Sequence, residues 1–360
     1  LGPAALMMAA ASLLFFRSSD QPTERIPVRD VAAAEKAKSQ TSIADSFMTS
    51  ARCKNCHPRF YELWEPSHHG KAMQVFSKQV AESLPPQEKP VVIGEEKYQY
   101  HFDGENGWVR ESSPQGEKKY SIEYAIGGRN AQFFLTELAK GKLQVLPVAY
   151  DTQGKFWYDM AEAGMRHFDD IPEEAYHWTE WPFTFNTSCR GCHVSQFENK
   201  YDLKTGQYTT TWGEPGINCE ACHGSAKEHV EFVLANPGVH DYSKVKIETI
   251  SQKRGFSAEA ANSNCLICHT KGGAITAAFH PGDEYFDHYD LTTLEHADFY
   301  PDGRDLGENY TYTTWLQSPC VKESRMDCMH CHTSSGRNRF EGANANQSCM
   351  PCHEAKVNNP

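Results

Sequence analysis

Six short stretches of this 360-residue chain share one spacing: two cysteines separated by two residues, with histidine directly after the second. They are Cys53-Lys54-Asn55-Cys56-His57, Cys189-Arg190-Gly191-Cys192-His193, Cys219-Glu220-Ala221-Cys222-His223, Cys265-Leu266-Ile267-Cys268-His269, Cys328-Met329-His330-Cys331-His332 and Cys349-Met350-Pro351-Cys352-His353. Twelve of the thirteen cysteines are used this way. At this cysteine and histidine content, chance supplies on the order of 0.02 such stretches in a chain of this length.

C-x-x-C-H is the attachment pattern of c-type haem. Two thiols three positions apart reach the vinyl groups on one porphyrin edge and form thioethers, and the next residue turns its imidazole under the ring to bind the iron. Structural zinc also uses C-x-x-C, but it has no need for histidine directly after the second cysteine. A disulfide framework has no need for one repeated spacing. The pattern therefore predicts six covalently bound haem c groups, with His57, His193, His223, His269, His332 and His353 as proximal iron ligands.

Composition bears on how such a chain folds. Only 39% of it is apolar, with 25 glycines and 19 prolines, and its mean hydropathy is −0.63. A polypeptide this polar fills several cores poorly by itself. Porphyrin faces supply the missing apolar surface. The expected fold is a multihaem cytochrome c of mostly short α-helices and loops wrapped round six haems, with a small β-rich insert. The net charge of −12 and the lack of a local basic patch exclude a nucleic-acid partner. No dinucleotide or phosphate-loop fingerprint occurs.

Eleven histidines remain beyond the proximal six of seventeen, enough to put a second imidazole on every iron. Bis-histidine ligation saturates the metal, so the excess favours an electron conduit over a catalyst. His229 lies six residues after His223, and His68 and His69 follow the first motif by about a dozen. His330, inside the fifth motif, points away from its own haem. No histidine follows His353, so a distal ligand for the last haem comes from earlier in the chain or from a neighbouring subunit. Cys320, the one cysteine outside the motifs, reads as a buried, inert thiol.

Along the chain, residues 1–17 open with the apolar run Leu1–Phe16 and read as an uncleaved signal-anchor helix. Residues 18–45 read as a linker with a short helix at Val31–Lys38, and 46–360 as the haem domain. The insert spans about residues 90–160, with strands at Lys97–Phe102, Gly107–Glu111, Lys119–Ile126, Leu143–Tyr150 and Lys155–Asp159, and a helical turn at Gln132–Leu138.

Several stretches resemble one family: Thr187-Ser188-Cys189 through Thr211-Trp212-Gly213-Glu214 to His223-Gly224 and His229-Val230, together with Ser67-His68-His69-Gly70-Lys71-Ala72-Met73, Gly141-Lys142-Leu143-Gln144-Val145-Leu146-Pro147, His177-Trp178-Thr179, Pro281-Gly282-Asp283, Asp287-His288-Tyr289 and Asp302-Gly303-Arg304. They are similar to multihaem c-type cytochromes related to the nitrifier tetrahaem cytochrome, a group in which a tetratricopeptide domain often follows. The resemblance covers about residues 50–355 and implies electron transfer. It implies His69, His177, His229 and His288 as distal ligands; His280 and His101 are the further distal candidates. Thr333-Ser334-Ser335 departs from the family, which often carries Pro-His there, and no tetratricopeptide repeat is present.

These readings lead to a membrane-tethered, extracytoplasmic (periplasmic-side) protein that passes single electrons between redox partners, a membrane oxidoreductase complex among them. Two alternatives remain: an oxidoreductase acting on a small nitrogen or sulfur compound at a five-coordinate haem, and a filament subunit stacking haem to haem.

Overall fold

In the stretch Glu96–Asp103, Tyr98 and Tyr100 are buried while Lys97 and Gln99 beside them are not. That two-residue period is the mark of a strand with one face on a core, and it recurs through the next sixty residues. The computed structural model describes residues 47–163, 176–239, 257–296, 299–305, 310–324, 326–350 and 352–359. The expected anchor and linker lie outside these residues. Among the described residues no helix is long and apolar enough to cross a membrane.

Two antiparallel sheets face each other between residues 73 and 160. One contains β2 (Val91–Ile93), β3 (Glu96–Asp103), β4 (Asn106–Ser113) and β5 (Gly116–Ile122) in sequence order. The other contains β1 (Met73–Val75), β6 (Tyr124–Gly127), β7 (Ala131–Leu138), β9 (Val148–Asp151) and β10 (Phe156–Asp159) in that spatial order, with β8 (Lys142–Val145) also on β7. Register puts Tyr100 opposite Val109 and Val109 opposite Tyr120, one apolar row across three strands. Gly107 leaves room for the Phe76 ring, whose atoms would lie 2.4 Å from any Cβ there. Of the residues in the main buried cluster, all but Trp178, Phe185 and Val194 lie between Met73 and Met160.

This overturns the expectation of mostly short helices wrapped round haems with a small insert. Sixteen strands occur among the described residues, and the β region carries a polypeptide core of its own. The composition argument failed because it ignored order: residues 73–160 are about as apolar as the rest of the chain, but strand alternation puts their apolar side chains on one face, where they fill a core. Elsewhere, extended loops between the motifs pair into two-stranded ribbons, such as Tyr201–Asp202 with Gln207–Tyr208 and Gly272–Ala274 with Tyr289–Leu291, which satisfies their backbone groups.

Gln132–Leu138, expected as a helical turn, is most of β7, the strand flanked by β6 on one edge and by β8 and β9 on the other. Its Ala, Gln, Leu and Glu favour helix in isolation, and burial on both edges overrides that preference. The expected strand Lys119–Ile126 changes sheets at Glu123, and Leu143–Tyr150 is cut by Leu146-Pro147, since proline supplies no N–H for the ladder.

The sheets also position the second motif. Gln144 of β8 donates to the carbonyls of Trp178 (2.5 Å) and Glu180 (3.0 Å) and accepts from Thr184 (3.0 Å). The Leu143 N–H donates to Asn186 at 2.7 Å, on the helical turn Phe185–Ser188 just before Cys189. Trp178, fully buried, donates its indole N–H to the Tyr98 hydroxyl at 3.2 Å.

Candidate haem centre

Short helical segments carry the motifs. Ser50–Lys54 carries the start of the first, Cys53, and Pro58 opens the next helix directly after His57, where a missing N–H costs nothing. Cys219–His223 holds the third, with Asn218 capping it by accepting from the Ala221 N–H at 2.8 Å and Gly224 ending it at φ +79°, a conformation glycine adopts freely. The fourth motif ends the twelve-residue helix Ala258–His269, capped by Ser257. The fifth begins on the 3-10 turn Cys328–His330.

These segments surround one continuous cavity of about 4240 Å³, whose wall includes both cysteines and the histidine of each of the first five motifs. A pocket for a single ligand holds about 300–1,000 Å³, so this space suits several large groups. The sixth motif stands apart: Cys349, Cys352 and His353 are exposed and outside the wall. His330 bridges towards it, with Nε2 2.8 Å from the Ser348 carbonyl. Cys320, expected to be buried, is exposed.

The motifs meet sulfur to sulfur, and not in chain order. Cys53 contacts Cys219, Cys192 contacts Cys268, and Cys265 contacts Cys328. Asn264, beside the fourth motif, donates to the Cys222 carbonyl of the third at 2.7 Å. Burial pushes the Cys222 thiol up to about 11. The contact with Cys192, then burial, raises that of Cys268 further. The contact with Cys53 lowers Cys219 to about 7, and the contact with Cys265 lowers Cys328, so each of these two pairs joins a raised thiol to a lowered one. Among the described residues no group of three or more His, Cys, Asp or Glu forms a metal cage.

Two histidine pairs face each other. The ring centroids of His57 and His229 are 6.4 Å apart, and those of His69 and His269 6.3 Å apart. Two imidazoles on opposite sides of one metal, each bound at about 2.0–2.1 Å, place their centroids roughly 6 Å apart. Burial, and then the nearby His269, lower His69 to about 4, keeping it as the neutral imidazole a metal needs.

Nδ1 is anchored in four histidines: His69 near the Ser334 carbonyl (3.3 Å), His193 near that of Ala72 (2.7 Å), His177 near the Thr179 hydroxyl (2.8 Å) and His288 near that of Thr276 (2.9 Å). A carbonyl only accepts, so in His69 and His193 the proton sits on Nδ1 and Nε2 is left for a metal; His177 Nδ1 instead accepts from the Thr179 N–H at 3.4 Å, and His288 Nε2 lies 3.5 Å from the Asp283 carboxylate. His280 is on the cavity wall; His177 and His288 sit beside wall residues Tyr176 and Tyr289. His101 is elsewhere, stacked on Trp108 in the β3–β5 sheet with centroids 5.8 Å apart.

Sequence reasoning passed over three wall residues. The Arg190 Nε, Asn264 Oδ1 and Trp315 Nε1 atoms are buried without a hydrogen-bond partner. Two unmatched donors on the wall of a largely apolar cavity fit the carboxylates that haem carries. The donor set and the space fit covalent haem. A model of the family described as cytochrome c554 and c-prime matches residues 52–118 and 153–224, which hold the first three motifs. With the six motifs, this match supports a multihaem c-type cytochrome.

Curated proteins supply no significant match to the cytochrome. Among solved structures, the outer cell wall cytochrome OcwA is similar in fold, with a TM-score of 0.50 and 18% identity over 82% of this chain. The aligned part spans 58% of that protein.

Proposed function

We propose that the cytochrome binds six haems and passes single electrons along them between redox partners outside the cytoplasm. The sulfur-to-sulfur contacts of the motifs carry this reading. They join motif one to three, two to four and four to five, and the Asn264 bond to the Cys222 carbonyl links three to four, giving a path through one, three, four and five with motif two branching from four. His330, bonded beside Cys349, extends it to the exposed sixth. Thioether-bound haem supplies one-electron iron chemistry, and its potential follows ligands, burial and hydrogen bonds.

The chain's own residues keep two of these sites closed to substrate. His229 opposite His57, and His69 opposite His269, occupy the positions a small molecule would need. The likeness to an outer cell wall cytochrome supports a location outside the cytoplasm. A membrane tether is part of the proposal on the strength of Leu1–Phe16 alone, and a membrane oxidoreductase complex is the proposed electron donor. Purified protein should give six haems per chain by pyridine haemochrome and a matching gain in intact mass. Mass equal to the bare polypeptide, or EPR dominated by high-spin iron, overturns the reading.

A further inference from the structure

Fixed charge is distributed unevenly along the motif path. At the Cys53–Cys219 junction two carboxylates are held in place. Glu220, 2% exposed, accepts from the backbone N–H of Met48 at 2.6 Å and of Ala226 at 2.7 Å. Glu214 accepts from the N–H and the hydroxyl of Ser50, both at 2.9 Å. The same hydroxyl lies 3.5 Å from the Cys219 sulfur. These bonds join the Met48–Ser50 segment to the third motif and fix both negative charges beside the paired sulfurs. Both carboxylates act on Cys53 and raise its thiol, behind its contact with Cys219 and burial. Arg52 and Lys54 on the same helix are exposed, so water and salt screen them.

At the Cys192–Cys268 junction the fixed charge has the opposite sign. Arg190, inside the second motif, is on the cavity wall with its guanidinium 4.8 Å from the Phe197 ring centroid. It donates to the Thr187 carbonyl, and its Nε has no partner. Guanidinium stays charged at any physiological pH. At the low effective dielectric of such a wall, Coulomb energies are several-fold larger than in water. Added negative charge is therefore disfavoured at the first junction and favoured at the second.

We propose that Glu214 and Glu220 hold the haem pair of the first and third motifs at the low-potential end of the cytochrome, while Arg190 makes the junction of the second and fourth motifs its high-potential branch. Electrons then run downhill from the first-motif end into the cavity and collect at the branch. All three are positioning residues, acting through charge alone. This inference rests on haem attachment as proposed above, and its test separates the two.

Spectroelectrochemical titration of the fully haem-loaded protein reads the result. E214Q and E220Q should each move the lowest-potential components upward, and R190Q should move the highest-potential components downward. R190K, which keeps the charge, should restore most of the parent curve. E111Q removes a buried carboxylate that is paired with Lys118 at 2.8 Å and with the Tyr120 hydroxyl at 2.8 Å in the β sheets, and should leave the curve in place. Glu214 is only half buried, so E214Q decides the matter if E220Q does not accumulate. Curves of haem-replete E214Q and R190Q that superimpose on the parent, or shift in the same direction, overturn the inference while leaving electron transfer intact. Parent protein without haem overturns the underlying function instead.

Discussion

A histidine becomes a dependable iron ligand when something else holds its second nitrogen. His69 shows this: Ser334, 265 positions away in sequence, supplies the carbonyl near Nδ1, leaving Nε2 for a metal. His69→Ala and His229→Ala should each convert one haem from low spin to a form that binds added imidazole or carbon monoxide. EPR and difference spectra read the change, and unchanged low-spin signals would show that these rings are not ligands. The cysteines and proximal histidines were legible because the attachment chemistry is local, five residues at a time. His69 and His229 were named as ligands through the family resemblance, and which ring each one faces was not legible, since His57 meets His229 and His69 meets His269 only after the chain has folded across 172 and 200 positions. The Ser334 carbonyl also shows that Thr333-Ser334-Ser335 supports a histidine through its backbone, an interaction no side-chain motif encodes.

Elements in this cytochrome draw on two different sources of stability. β7 packs Phe134 and Leu135, both fully buried, into the sheet core, and Phe134 meets Phe76, Tyr100 and Trp157 within 6.4 Å between ring centroids. Phe134→Ala should cost about 3–5 kcal/mol, measured by denaturant unfolding followed through tryptophan fluorescence. The haem-bearing helices are short, so caps matter more to them. Asn218→Ala removes the cap on Cys219–His223 and the bonds to Gln196 at 2.8 and 3.1 Å, and should cost about 1 kcal/mol, seen as a lower melting temperature. Strands β3, β4 and β10 were legible from their alternation and turns. β7 was not, because Gln132 reads as a helix former until its side-chain amide is seen bonded to the Ile126 carbonyl inside the sheet.

At the scale of the molecule, residues 73–160 bury one another, while the first five motifs surround a space the polypeptide does not fill. Expressed without haem attachment, the chain should keep its sheets and lose the rest. Limited proteolysis should leave a resistant fragment spanning roughly residues 73–160 with a β-type circular dichroism spectrum; digestion of the whole chain at one rate would refute that division. Average polarity concealed this arrangement, because a composition carries no order, and it is the alternation within residues 73–160 that gathers their apolar side chains into a core. The pairing of His57 with His229 also governs how the molecule is assembled. A chain threaded out from its N-terminus presents Cys53-Lys54-Asn55-Cys56-His57 long before residue 229 emerges, so a cofactor stitched to that first stretch waits half-clasped while 172 further residues are made. At that site a late arrival shuts an early door, and a truncation before residue 229 leaves that door open to any small ligand nearby.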